Sequence, residues 1–151
     1  MLKKMLKPEF IFSNVKISQL EREFAIEKIS EFCEENAGVS ASILAEKFMY
    51  RERLDSTGFG NGVAIPHAKI QNLKNPMVVV VRFAEGIEWD AIDGEPVKVA
   101  IALIMPDGDD ANTHLQVISQ LSRKLIYKEN VDKLINEEDP MKLYEFIINE
   151  M

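Results

Sequence analysis

The chain has 151 residues, 46% hydrophobic and 28% charged, a balance that fits a soluble globular protein and excludes a disordered, collagen-like or disulfide-stapled chain. This length predicts one domain over residues 1–151, with a core that needs neither metals nor staples. Eighteen basic and twenty-five acidic side chains leave a net charge of −7, which argues against free nucleic acid as the main partner and suits docking to a basic protein.

The basic start, Met1 to Lys7, is followed by Pro8, Glu9, Ser13 and Asn14, which break any apolar stretch, so no signal peptide is expected. Residues 11–17 predict a short strand. Ser18, with Glu21 three residues on, predicts a capping box that opens a helix over residues 19–36, closed by Gly38. Ala25, Ile29, Phe32 and Cys33 recur at i, i+4, i+7 and i+8 and form its inner face. Cys33 is therefore read as a core residue, and as the single cysteine it excludes an internal disulfide and fits a reducing cytosol. Ser40 starts a second helix that ends before Asp55, with Ile43, Leu44, Lys47 and Phe48 along one side.

Residues 77–83 are continuous and β-branched, the pattern of a strand covered on both faces. Residues 87–96 carry Gly, Asp and Pro and read as a loop, and residues 97–105 as a second buried strand closed by Pro106, Asp107 and Gly108. Asp107 to Asp110 reads as a solvated loop. Asn112 or Thr113 caps a helix to about Tyr127, with Leu115, Ile118, Leu121, Ser122 and Leu125 facing the core. Residues 131–135 and 141–148 predict two short helices split by Pro140. Helices before and after apolar strands imply an α/β sheet with helices on both sides. The longest apolar runs, 77–81 and 99–105, fall far below the roughly 20 residues of a membrane span, so a cytoplasmic protein with no stable membrane insertion is expected.

Residues 56–67, Ser-Thr-Gly-Phe-Gly-Asn-Gly-Val-Ala-Ile-Pro-His, stand apart. Three of the seven glycines, Gly58, Gly60 and Gly62, lie at spacing two, which in an extended backbone places them on one face. They allow either tight packing or close approach by another group. The Gly-Lys-Ser/Thr of a P-loop and the spacing of a dinucleotide fingerprint are both missing. Val63 to Ile65 forms a short strand that Pro66 stops, leaving His67 at a strand end, where binding residues commonly lie. The second of the two histidines, His114, falls at the start of a later helix, where backbone N–H groups and partial positive charge favour a neutral imidazole and attract phosphate. Two histidines are short of a usual zinc site. Ser-His-Asp chemistry from Ser56 or Ser119 finds no nucleophile-elbow pattern.

The stretch Arg51-Glu52, then Ser56-Thr57-Gly58, Gly60, Gly62, Ala64-Ile65-Pro66-His67, resembles the phosphorylation-site signature of the fructose/mannitol-class enzyme IIA (EIIA type-2) domains of the bacterial phosphoenolpyruvate-dependent sugar phosphotransferase system. Gly86 to Trp89, Asp93 to Val97, and His114-Leu115 followed by Leu121-Ser122 and Leu125 are similar to the family's later landmarks, in order. The resemblance implies a three-layer sandwich, a mixed β-sheet with helices on both faces. It implies a phosphotransferase that accepts phosphate from the carrier HPr on His67 and passes it to the cysteine of an EIIB partner. The destination would be uptake of a fructose-like sugar or sugar alcohol through a membrane EIIC. No EIIB or EIIC segment is attached, so a free-standing EIIA is expected. By motif position His67 is the phosphoryl acceptor, Arg51 the nearby arginine and His114 the second histidine, with Arg53 a competitor for the arginine role. Ser56, Thr57 and N–H groups around Gly58, Gly60 and Gly62 are candidates for added donors to the phosphoryl oxygens. Phe59, Ile65 and Ile70 are candidates for an apolar ring around a shallow site. No metal or other cofactor is required, because arginine and helix terminus supply the positive field. The same motif occurs in nitrogen-related EIIA proteins, which implies the alternative of regulation by phosphorylation-dependent protein binding. The Trp89 block and Asp93 to Val97 lean towards the transport type.

Overall fold

The computed structural model describes residues 2–73, 75–108 and 112–151. Asp109 and Asp110 of the expected solvated loop lie outside them. The basic-looking start is a helical turn, α1 (Leu2–Met5), followed by a 3-10 turn, Pro8–Phe10. Their apolar side chains, Leu2, Met5, Leu6 and Phe10, are buried in the core while the lysines between them stay out.

Strand β1 (Ile11–Val15) leads to helix α2 (Arg22–Ala37). The helix opens later than the capping box predicts, at Glu21 and without a side-chain cap. The reason is a competing backbone bridge: Leu20 O accepts from Glu88 N at 2.9 Å, and Arg22 N donates to Glu88 O at 3.0 Å. Ala25, Ile29 and Cys33 are fully buried, as the helical spacing predicts. Phe32 lies at the edge and stacks on Phe12 at 3.9 Å between ring centroids. Gly38 closes the helix at φ 68°. Helix α3 (Ala41–Leu54) begins at Ser40, whose hydroxyl accepts from Ile43 N at 3.3 Å. Only Leu44 and Phe48 of the expected side face the core, whereas Ile43 and Lys47 are exposed.

The glycine-dense segment folds into strands β2 (Gly58–Gly60) and β3 (Val63–Ala64), an antiparallel pair. Asn61 (φ 56°) and Gly62 (φ 87°) form the turn between them, so the three glycines do not share one extended face. Strands β4 (His67–Ile70), β5 (Met77–Ile87) and β6 (Val97–Pro106) follow. The sheet is mixed, in the order β1-β5-β6-β3-β2. Strands β3 and β4 both pair parallel to β6, Val63 opposite Val99 and His67 opposite Leu103. They behave as two halves of one strand interrupted at Ile65 and Pro66. Proline has no N–H to give the ladder, but its carbonyl accepts from Leu103 N at 2.9 Å, which restarts pairing at His67.

Helices α4 (Thr113–Leu125), α5 (Lys128–Asn136) and α6 (Pro140–Glu150) complete the chain. As expected, two helices part at Pro140, which is the first residue of α6, capped by Asp139. Helices α2 and α3 pack on β5 and β4, α4 and α5 on β6, and α6 on β1. The unbroken burial of Met77 to Phe83 and of Val99 to Met105 shows that both sheet faces are covered. In α4 the buried stripe is His114, Val117, Leu121 and Leu125. It is rotated from the expected one: Leu115 is 54% exposed, and His114 takes the inward position.

The glycines serve packing. A Cβ on Gly58 would sit 2.7 Å from the backbone of Ala91, and one on Gly62 would meet Ile135 at 3.0 Å. Gly58→Ala should therefore force apart β2 and the 88–92 loop and cost about 1–3 kcal/mol, read as a lowered midpoint in urea. A midpoint equal to that of the parent would refute this packing.

Candidate active site

One open cavity of about 280 Å³ is lined by Lys47, Tyr50, Arg51, His67, Ala68, Lys69, Asp107 and His114. Apart from Asp107, which follows β6, three elements supply its polar groups. Arg51 projects from the last turn of α3, where a cation also meets the negative end of the helix dipole. His67 opens β4, and His114 lies in the first turn of α4. The two imidazoles stand 6.1 Å apart between centroids, tilted by 33°.

Hydrogen bonds fix the state of His67. Its Nδ1 lies 3.0 Å from Ile65 O. A carbonyl only accepts, so Nδ1 carries the proton. Its Nε2 accepts from Arg51 Nε at 3.0 Å, which requires a lone pair there. Both contacts select the neutral Nδ1–H tautomer and aim the Nε2 lone pair into the cavity. Burial, with the positive charge of Arg51, His114 and Lys69, pushes the His67 pKa down to about 4, against the opposing pull of the Ile65 carbonyl. The ring thus stays an uncharged nucleophile across physiological pH. Arg51 is held by a second bond, Nη1 to Asp55 O at 2.6 Å. Arg53 is exposed, and the geometry gives the contact with His67 to Arg51.

The structure directs the other expected donors away from the cavity. Ser56 Oγ donates to Trp89 O at 3.4 Å and accepts from Gly58 N at 3.1 Å. Thr57 donates through its N–H (3.0 Å) and its hydroxyl to Glu52. Gly58 N is taken by that Ser56 hydroxyl, and none of Gly58, Gly60 and Gly62 lines the cavity. Neither serine weighed for a Ser-His-Asp arrangement lies at His67: Ser56 is turned to Trp89, and Ser119 accepts from Arg123. Among the described residues no three His, Cys, Asp or Glu side chains converge to hold a metal. Cys33 is buried, and burial pushes its thiol pKa up to about 12, leaving it inert.

The apolar surroundings also differ from expectation. Ile65 and Ile70 belong to the core, and Phe59 packs against it. The exposed apolar group in the lining is instead Tyr50 (64%), while Leu54 (66%) and Leu115 are exposed on the helices that carry Arg51 and His114. The acidic excess of the whole chain is not local: the lining carries Lys47, Arg51 and Lys69 against one carboxylate, Asp107. This field suits an incoming anion.

Glu52 stands in the quoted signature beside Arg51, but the sequence reading gave it no role. It is 2% exposed and bonds Thr57 and Trp89 Nε1, the latter at 3.0 Å. Beside its place in the signature, its spacing marks it: a carboxylate at i+4 from Phe48, on the apolar side of α3.

The low pKa of His67 makes a kinetic prediction. Phosphoryl uptake should be level from pH 8 down to about 5 and fall with an apparent pKa near 4, measured by quenched-flow against pH with the donor's own titration subtracted. A fall centred at the ordinary 6.5 would contradict the desolvated ring.

Relatives share this architecture. A "Nitrogen regulatory protein" of Klebsiella oxytoca is 35% identical over 147 residues, covering 97% of this chain and 89% of that protein. A "PTS system fructose-like EIIA component" of Escherichia coli K12 is 40% identical over 89 residues, covering 59% and 60%. Among solved structures, the nitrogen regulatory protein IIA-Ntr of Neisseria meningitidis superposes with a TM-score of 0.87 at 26% identity, covering 95% of this chain and 97% of that one. The IIA mannitol structure of Escherichia coli, at 22% identity, shares the fold with a TM-score of 0.77. Residues 4–150 match the family described as "Phosphoenolpyruvate-dependent sugar phosphotransferase system, EIIA 2", and the chain belongs to that family.

Proposed function

We propose that the chain is a phosphohistidine carrier in which His67 Nε2 accepts a phosphoryl group from the phosphohistidine of HPr or an HPr-like donor. The observation that carries this reading is the bonding of His67: Nδ1 tied to Ile65 O, Nε2 bare of a proton and facing Arg51 in an open, cation-lined cavity. The Nε2 lone pair forms the new N–P bond as the donor's N–P bond breaks, and that electron pair returns to the donor ring. The His67 ring becomes cationic as it gains phosphorus. The Ile65 carbonyl, already accepting the Nδ1 proton, stabilises that charge. Arg51 Nε, released from Nε2, is within reach of the phosphoryl oxygens, and His114 flanks the same space. Onward transfer reverses the step, with a nucleophile of the next protein attacking phosphorus and His67 leaving as neutral imidazole.

Two outputs compete. The match to nitrogen regulatory proteins over 97% of the chain, against 59% for the fructose-like component, favours the regulatory one. In this reading the two states of His67 present different surfaces at Tyr50, Leu54 and Leu115, and partner proteins distinguish them. Transport through an EIIB cysteine is the second reading, supported by the 40% identity to the fructose-like component. A chase separates them. The phosphorylated protein is mixed with fructose-type and mannitol-type EIIB domains, and the EIIB masses are followed. The regulatory reading expects the phosphate to remain on His67. Its rapid appearance on an EIIB cysteine would establish transport.

A further inference from the structure

Behind the cavity wall lies a closed ring of hydrogen bonds. Thr57 N donates to Glu52 Oε1 at 3.0 Å, and the Thr57 hydroxyl donates to Oε2. Thr57 O accepts from Ile65 N at 3.0 Å. Ile65 O accepts the Nδ1 proton of His67, and His67 Nε2 accepts from Arg51 Nε, each at 3.0 Å. Arg51 and Glu52 are consecutive on α3, so the covalent chain closes the ring. Neighbours on a helix point about 100° apart. One therefore reaches the open cavity while the other, 2% exposed, turns inward.

We propose that Glu52 is a positioning residue for phosphoryl transfer: by taking both donors of Thr57 it sets the pairing of Thr57 with Ile65, and through the Ile65 carbonyl it holds His67 with Nε2 presented to the donor. This rests on His67 being the acceptor. In a purely structural account Thr57, Trp89 and Arg22 Nη1 at 3.5 Å only satisfy a buried carboxylate, and losses of transfer then follow stability alone. A buried carboxylate is costly unless its oxygens are filled. Here the filling donors come from the segment that carries the acceptor's orienting carbonyl. Acceptor placement, rather than charge, is what the ring uses.

The test compares three variants of the full chain by steady-state transfer from phospho-HPr and by nitrogen-15 NMR of His67. Glu52→Gln keeps an oxygen for Thr57 N and should hold kcat within about 3-fold, with Nε2 still unprotonated. Glu52→Asp keeps the charge but withdraws the acceptor by one methylene. It should lower kcat about 100-fold at unchanged KM and mix the two His67 tautomers. Trp89→Phe removes the indole donor to Glu52 and leaves both Thr57 bonds in place, so it should lower Tm and leave kcat and the His67 spectrum alone. Normal kcat and tautomer in Glu52→Asp would overturn the proposal. So would losses of kcat in Glu52→Asp and Trp89→Phe that merely follow their Tm. An unprotonated Nδ1 in the parent protein would overturn it without any variant. If the parent takes no phosphate while its tautomer still follows Glu52, the acceptor assignment fails and the positioning stands.

Discussion

His67→Ala should abolish phosphorylation by phospho-HPr while leaving the fold intact. The loss should be complete, because the other two candidate nucleophiles are buried. The other imidazole, His114, is 9% exposed, and the remaining nucleophile candidate, Cys33, is buried with its thiol pKa at about 12. The fold should tolerate the change because His67 is half-buried at the head of β4, and the ladder there is made by backbone atoms. Stability should even gain in acid. An unfolded histidine takes up a proton below about 6.5, whereas folded His67 resists until about 4. The unfolded chain therefore holds more protons than the native one between those values, and native stability falls as pH drops from 6.5 to 4. His67→Ala removes that contribution. Its urea midpoint should decline less than the parent's across that window. Phosphate uptake by the variant, or an identical decline, would refute the assignment or the desolvation respectively.

Arg51→Ala should slow uptake by about 1,000-fold, the scale at which a positioned arginine acts on a phosphoryl group. Its planar fork now joins Nε to His67 and Nη1 to Asp55 O, so a guanidinium is already aligned where the phosphoryl oxygens arrive. Arg51→Lys should recover little, because an ammonium cannot hold both directions at once. A second readout distinguishes a field effect from lost positioning. The charge of Arg51 helps hold the His67 pKa low, so Arg51→Ala should let it rise and move the acid limb of the pH–rate profile upward. Uptake within a few-fold of the parent would show that Arg51 only caps the end of α3.

Much of this was readable in the sequence, for identifiable reasons. The apolar strands, the Gly38 stop and the Ser40 cap depend on local chemistry, and they stand where that chemistry puts them. The glycine spacing did not reveal a hairpin, because period-two arithmetic assumes a straight strand and the turn at Asn61 and Gly62 breaks it. Ser18 lost its cap to a backbone bridge with Glu88, a partner far away in sequence. Likewise His67, Arg51 and His114 could be named from a motif. Their alignment through Ile65 O and the turning away of Ser56 and Thr57 depend on contacts with Glu52 and Trp89, which no spacing along the chain encodes. In α4 a helical stripe shifted by one position decided whether Leu115 or His114 faces inward.

The central claim is that His67 carries phosphate, and intact mass after incubation with phosphoenolpyruvate, enzyme I and HPr tests it most directly. One acid-labile phosphate is expected, dependent on HPr, mapping to His67 and attached at Nε2. No adduct in the folded protein beside a working control EIIA, or an adduct that persists in His67→Ala, would contradict it.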